Sequence, residues 1–312
     1  MDSNSETHKD GRMKKSFKIL FMILLIGFII IAGHLYYLST LAAKEKYPDD
    51  TYLDSEPHKV ALIIVAHDDD AVGSAGTMTM LCKKGWEIRE MCFFQQGGLY
   101  FKKDSAKNPI RKKSLQQVSE IQGFQGIDPI DYNFRKDTMN EKSYMPMPYD
   151  DFSKNFEIDS LYGYISSYIE KHKPTVIFTL DDIIGGYGHP DHVLISRLVL
   201  DYCRKHKNDS NFFVKKIYQP VFTPSLSENI LGENPTYIQA KKVYQCNGMP
   251  APDFQVNFYS YAQEKKDAMT AYTTEQNSLK VIWPYYNWYP ASIYFKIFDR
   301  DFFRVIDVSK IQ

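Results

Sequence analysis

The apolar positions of this chain fall into three kinds of run. From Ile19 to Leu38 the sequence reads ILFMILLIGFIIIAGHLYYL, 20 residues without Asp, Glu, Lys or Arg, interrupted by His34. A helix of about 20 apolar residues spans roughly 30 Å of hydrocarbon. The run therefore predicts a transmembrane helix over 19–38, with Tyr36 and Tyr37 at the far interface, where amphipathic rings are favoured. Residues 39–58 show no apolar period and contain Pro48 and Pro57, which predicts a linker.

From residue 59 to 312 the pattern alternates. Val60–Ala66 (VALIIVA) is a continuous β-branched apolar run, the signature of a strand covered on both faces. A helical pattern follows from Val72 to Lys84 and stops at Gly85. Glu87–Phe94 predicts a second strand, and Lys112–Gln122 a helix ending near Gly123. Leu161, Tyr164, Ile165, Tyr168 and Ile169 mark one helix face, with Asp159 as a cap. Thr175–Leu180 predicts another buried strand, a helix starts near Pro190 with proline in its first turn, and Phe212–Tyr218 predicts a further strand. Strand–helix alternation of this kind predicts one α/β domain, a sandwich around a mostly parallel sheet.

Composition narrows the function classes. Lys plus Arg and Asp plus Glu are each 38, for a net charge of zero, which argues against a protein that coats nucleic acid. The apolar fraction of 44% argues against an acidic disordered chain. Cys82, Cys92, Cys203 and Cys246 form no CxxC pair, so a zinc ribbon or dithiol redox site is not expected, and Cys82 and Cys203 read as core residues. The neutral sum hides an asymmetry: Arg12, Lys14, Lys15 and Lys18 precede the apolar run, whereas Asp49, Asp50, Asp54 and Glu56 follow it. By the positive-inside rule the tail 1–18 is cytoplasmic and the body extracytoplasmic. The alternative is secretion after cleavage of a signal peptide near Thr40–Ala43.

The chemistry-bearing residues collect after two strands. His67-Asp68-Asp69-Asp70 follows the first. Asp181-Asp182 and then GGYGHPDH at Gly185–His192 follow the Thr175–Leu180 strand. Parallel strands share one carboxyl edge, where ligands bind in such sheets, so the two loops meet if their strands are neighbours. A catalytic zinc needs about three protein ligands and an open position. His67, one of the Asp residues and His192 would supply that set, leaving a second carboxylate as general base. Taken singly, the same residues also read as a helix cap, a solvated loop or a glycine turn.

These two loops resemble a known family. AHDDDAVGSAGT at Ala66–Thr77 resembles the AHPDDE motif of the LmbE-like / PIG-L de-N-acetylases, and GGYGHPDH is similar to their second motif. KKDAMTAYTTEQ at Lys265–Gln276 resembles their C-terminal helix, and the stretch around Arg111 their R-x-x-E segment, with Ser114 in place of the Glu. The resemblance implies a Rossmann-like three-layer α/β sandwich over 59–312. It also implies a hydrolase that uses one zinc ion to remove an N-acetyl group from an N-acetylglucosamine-containing conjugate. Carried over by position, it implies His67, Asp70 and His192 as metal ligands and Asp69 as general base. His189 and Tyr187 would stabilise the tetrahedral intermediate. Asp68 stands where the motif has Pro, either adding charge or facing solvent, and Ala71 where it has Glu. Those departures leave open a non-catalytic, membrane-tethered carbohydrate- or lipid-binding module on the same fold. A two-metal phosphoesterase is less well matched, because ligands for one ion are found.

Overall fold

The structure is a computed structural model that describes residues 3–94 and 107–312, with side chains from residue 16 onward; Arg12, Lys14 and Lys15 lie outside the described side chains. Met1–Ala42 and Ala43–Gln312 form two separate units. The first contains a helix, Ser3–Leu41, in which the 26 residues Ser16–Leu41 are long and apolar enough to cross a membrane or to serve as a signal sequence.

The second unit is built on one sheet. Its strands are β1 (Val60–Ile64), β2 (Glu87–Phe93), β3 (Gly126–Ile130), β4 (Val176–Phe178), β5 (Lys216–Pro220), β6 (Phe254–Asn257) and β7 (Arg300–Asp307). Their spatial order is β3-β2-β1-β4-β5-β7-β6. The first five run parallel, and β7 pairs antiparallel with both β5 and β6. β1 and β4 are neighbours, with Leu62 opposite Ile177, so the condition for the two loops to meet is fulfilled. They leave the sheet where its winding reverses, the place where doubly wound sheets open a crevice.

Helices cover both faces. Ala75–Lys83, Asn108–Gln122 and Ala262–Ala271 pack together, and Ile158–His172 packs on Pro190–His206. Leu62, Ile64, Met91, Phe93, Ile177 and Ile217 share a buried core with Leu161, Ile165, Val193 and Val199 of the second pair. Burying side chains of this size contributes roughly 1.5–3 kcal/mol each. The expected mostly parallel α/β sandwich is thus the observed fold.

Four local expectations change. The helix read from Leu161 begins at Ile158 after Glu157, so Asp159 lies in its first turn and is not its cap. There it favours the positive end of the helix dipole. The strand read at 212–218 is displaced to Lys216–Pro220. The stretch read as a linker, 39–58, joins the body from Ala43 onward. Its polar groups are paired there: the Lys44 N–H donates to Ser225 Oγ at 2.9 Å, and Lys215 Nζ reaches Glu56 Oε1 at 3.0 Å. Finally, Asp68 is 2% exposed, so it does not face solvent.

Candidate metal centre

The first loop is shaped by its own carboxylates. β1 ends at Ile64, and the His67 backbone N–H donates to Asp70 Oδ2 at 2.7 Å, which folds the turn over the start of the 3-10 helix Asp70–Ser74. A buried pair locks that helix from behind. Lys265 Nζ donates to Asp301 Oδ1 at 2.6 Å and to the Gly73 carbonyl at 2.9 Å, while Asp301 Oδ2 accepts from Thr77 N–H and Oγ1–H.

The second loop is held by Asp181, whose carboxylate accepts from the N–H groups of Ile183 (3.1 Å), Ile184 (2.7 Å) and Gly186 (2.6 Å). Gly185 sits at φ +64°, and a Cβ there would lie 2.7 Å from His192 Cβ and 2.9 Å from the Val193 backbone N. Glycine therefore meets both the backbone and the space requirement. His189 caps the helix Pro190–His206, its Nδ1 accepting from the Asp191 N–H at 3.3 Å.

These hydrogen bonds settle the direction of the ring nitrogens. His192 Nδ1 donates to the Gly185 carbonyl at 2.9 Å, which leaves the Nε2 lone pair facing the cavity. His67 Nε2 donates to Asp191 Oδ2 at 3.1 Å, which leaves the Nδ1 lone pair on the cavity side. The two free nitrogens are 3.0 Å apart. Asp70 joins them, with Oδ1 at 3.0 Å from His192 Nε2 and Oδ2 at 3.6 Å from His67 Nδ1. Bond lengths of about 2.0–2.2 Å to a tetrahedral zinc separate its ligand atoms by roughly 3.3 Å. The donor set and its spacing fit such an ion. His67, His189 and His192 also bring one nitrogen each to within 4.8 Å of one another.

The charges around this point are uneven. Burial alone lowers the pKa of His67, but Asp70 and Asp191 reverse that and push it up to about 10. A proton on His67 thus occupies the place that a cation would take. Burial raises the Asp69 carboxyl well above the usual range, and the charges of Asp70, Asp68 and Glu275 add to the effect. Asp70 goes the other way: the neighbouring His192 and His67 outweigh burial and hold it ionised. Burial, with help from His67 and His192, keeps His189 neutral. Because its Nδ1 accepts, neutral His189 carries its proton on Nε2.

The raised His67 value has a sign that can be checked. Its stabilisation is fully present below the unfolded value of 6.5 and is lost as pH rises toward 10. Chelator-treated protein is therefore expected to show a falling Tm across pH 6.5 to 10. Adding a divalent metal should flatten that slope. A Tm that is level over this range without metal would contradict the His67–Asp70–Asp191 arrangement.

All six residues singled out from the sequence line one cavity of about 610 Å³: His67, Asp69, Asp70, Tyr187, His189 and His192. Three further residues were not picked out. Asp191 is fully buried and bridges His67 to Arg135, whose Nη2 lies 2.5 Å from Asp191 Oδ1. Arg135 is itself buried with its guanidinium over the Tyr144 ring at 3.9 Å. Glu275 pairs with Arg111, which also lies 3.6 Å from Asp68 Oδ1. The available signals were Asp191 between the two histidines of HPDH and the family likeness of the segments that hold Arg111 and Glu275; Arg135 is 56 residues from Asp191 in sequence.

The class defined so far is a doubly wound α/β domain with a His/Asp donor set at its switch point. Comparison with known proteins carries this further. The model of the PIG-L family, described as GlcNAc-PI de-N-acetylase, matches residues 62–203, which include both loops. That segment is similar to the PIG-L family, the family that the two motifs resemble. No curated protein matches the sequence. Among solved structures, a deacetylase of the teicoplanin biosynthesis pathway aligns with a TM-score of 0.50 at 13% identity, over 80% of this chain and 98% of that one. N,N'-diacetylchitobiose deacetylase from Pyrococcus horikoshii aligns with a TM-score of 0.49 at 15% identity, over 83% of this chain and 90% of that one. GalB, the 4-carboxy-2-hydroxymuconate hydratase from Pseudomonas putida, aligns with a TM-score of 0.47 at 15% identity, over 73% and 83%. At 13% identity the likeness to the teicoplanin-pathway deacetylase is one of fold.

Proposed function

We propose that this chain is a zinc-dependent hydrolase that removes an N-acetyl group from an N-acetylglucosamine-containing conjugate and releases acetate. The observation that carries the reading is the pair of ring nitrogens, His67 Nδ1 and His192 Nε2, 3.0 Å apart with Asp70 against both. Those three residues would hold the ion, which supplies an acidified water and polarises the amide carbonyl.

The remaining steps belong to the chain. Asp69, with its raised carboxyl pKa, takes the proton of the attacking water. Neutral His189 presents its Nε2–H to the oxygen on which charge develops, and the Tyr187 hydroxyl offers a second donor. Asp191 and the Gly185 carbonyl hold the two ligand histidines in the required tautomers. Ala71, where the family motif has Glu, is 8% exposed, so no acid from that position reaches the site. For the apolar helix we propose a single membrane pass with residues 1–18 cytoplasmic, supported by Arg12, Lys14, Lys15 and Lys18. The body would then face an extracytoplasmic, membrane-proximal substrate.

The test is zinc content together with acetate release from a panel of N-acetylglucosamine conjugates. One zinc per chain and stoichiometric acetate are expected. A protein that binds no divalent metal would sink the enzyme reading in favour of the binding module. Protection of the N-terminal tail from protease in sealed vesicles would check the orientation.

A further inference from the structure

The cavity that holds the metal centre has two unlike ends. One is polar: Arg111, paired with Glu275 and close to Asp68, lies on the helix that follows β2. On the side of the segments after β5, the lining is mainly apolar: Val221, Leu226, Leu231, Leu279, Trp283 and Phe302 are each no more than 6% exposed, with Asn234 and Arg300 as polar residues of the same cavity. The sheet order puts the loops of β1 and β4 between the helix after β2 and the segment after β5. A single helix spans the two ends. Gln276–Ile282 begins beside Glu275 and ends at Trp283, whose ring packs edge-on to Phe222 with centroids 6.1 Å apart. Seven residues of helix correspond to about 10 Å.

An amide at the metal centre has two arms, and they leave in opposite directions. The amine arm is a sugar whose hydroxyls need hydrogen-bonding partners, and burying them against hydrocarbon is unfavourable. It belongs at the Arg111–Glu275 end. The acyl arm then points toward Val221 and Trp283. An acetyl methyl leaves that end of the cavity unfilled, whereas a hydrocarbon chain matches its lining. Four of the six apolar residues, Val221, Leu226, Leu231 and Phe302, come from β7 and the segment after β5, and all six lie beyond residue 203, outside the PIG-L match.

We propose that this apolar end is an acyl-chain subsite, and that the preferred substrate is an amino sugar carrying an N-acyl chain longer than acetyl. The proposal rests on the amide-hydrolase reading above and changes the identity of the acid released. In the reaction, the oxygen of water bonds to the acyl carbon and the carbon–nitrogen bond breaks. Its electron pair leaves with the nitrogen, which takes up a proton, so the products are a fatty acid and a free amino sugar.

The experiment uses full-length, zinc-loaded protein in lipid nanodiscs and compares N-acetyl-, N-butanoyl- and N-octanoylglucosamine by amine release. A kcat/KM about tenfold or more higher for octanoyl than for acetyl is expected, the scale on which apolar pockets discriminate. Equal or faster acetyl hydrolysis overturns this inference and leaves the hydrolase reading standing. Hydrolysis of none of the three overturns both. A second readout needs no turnover: octanoate, but not acetate, should shift the tryptophan emission of the metal-free protein. Trp283 lines the subsite, and Trp283→Phe should abolish the shift. A shift that persists in Trp283→Phe would place the chain elsewhere and overturn the assignment.

Discussion

Asp69→Asn is expected to lower kcat for amide hydrolysis by about 10²–10⁴, the usual contribution of a positioned general base. The physical reason lies in its surroundings. Asp69 sits in the same loop as Asp68 and Asp70, and burial together with those charges raises its carboxyl well above the usual range. A carboxylate raised in this way is a stronger base toward the proton of an activated water than an ordinary one. The amide of Asn keeps the shape and loses the basicity. Because Asp69 is not among the proposed ligands, zinc content should stay at the wild-type level, whereas Asp70→Asn should lose metal and activity together. The decisive measurement is therefore metal stoichiometry beside initial rate. If Asp69→Asn also releases the zinc, Asp69 is a ligand and the assignment of base and ligand between the two neighbours is wrong.

Much of this site was legible because its pieces are local. β1 and β4 are fully apolar runs, and each is followed directly by the residues that carry the chemistry. Parallel strands then put both loops on one edge without any long-range information. The edges of the sheet were harder. β3 reads Gly-Ile-Asp-Pro-Ile, and its Gly126 and Pro129 are turn signals in a sequence. As an edge strand it tolerates the proline, which lacks the N–H of an interior ladder. β6 and β7 form the antiparallel side, where pairing partners are set by contacts that no periodicity reports. Asp68 shows the same limit at the site. In the sequence it is one of three adjacent acids, and solvent exposure was a reasonable expectation. It is buried because Arg111, 43 positions later, comes off the helix after β2 to lie against it.

Arg135 is the clearest case of a residue that acts through others, and its removal should be costly. It and Asp191 are both fully enclosed, with side-chain exposure of 0% for each. Burial raises a carboxylate's pKa, yet the Arg135 guanidinium reverses this and holds Asp191 well below the ordinary range. That shift corresponds to stability that is present above the unfolded pKa near 3.8 and is lost as pH falls below it. Arg135→Met leaves the Asp191 charge without its main partner. Breaking a buried pair from one side costs about 3–5 kcal/mol. For a body of this size that is a fall in Tm of roughly 6–20 °C, and it should narrow in acid, where Asp191 becomes protonated. The same variant reaches the metal centre, because Asp191 fixes the Nε2–H of His67 and so the lone pair on Nδ1. Loss of such an orienting group lowers metal affinity about 10–100-fold. Pairing Arg135→Met with Asp191→Asn separates the two effects. The double variant should recover much of the stability, since no buried charge remains unpaired, while metal affinity stays low because the carboxylate that orients His67 is gone. Recovery of both would mean that Asp191 serves the fold and not the metal centre.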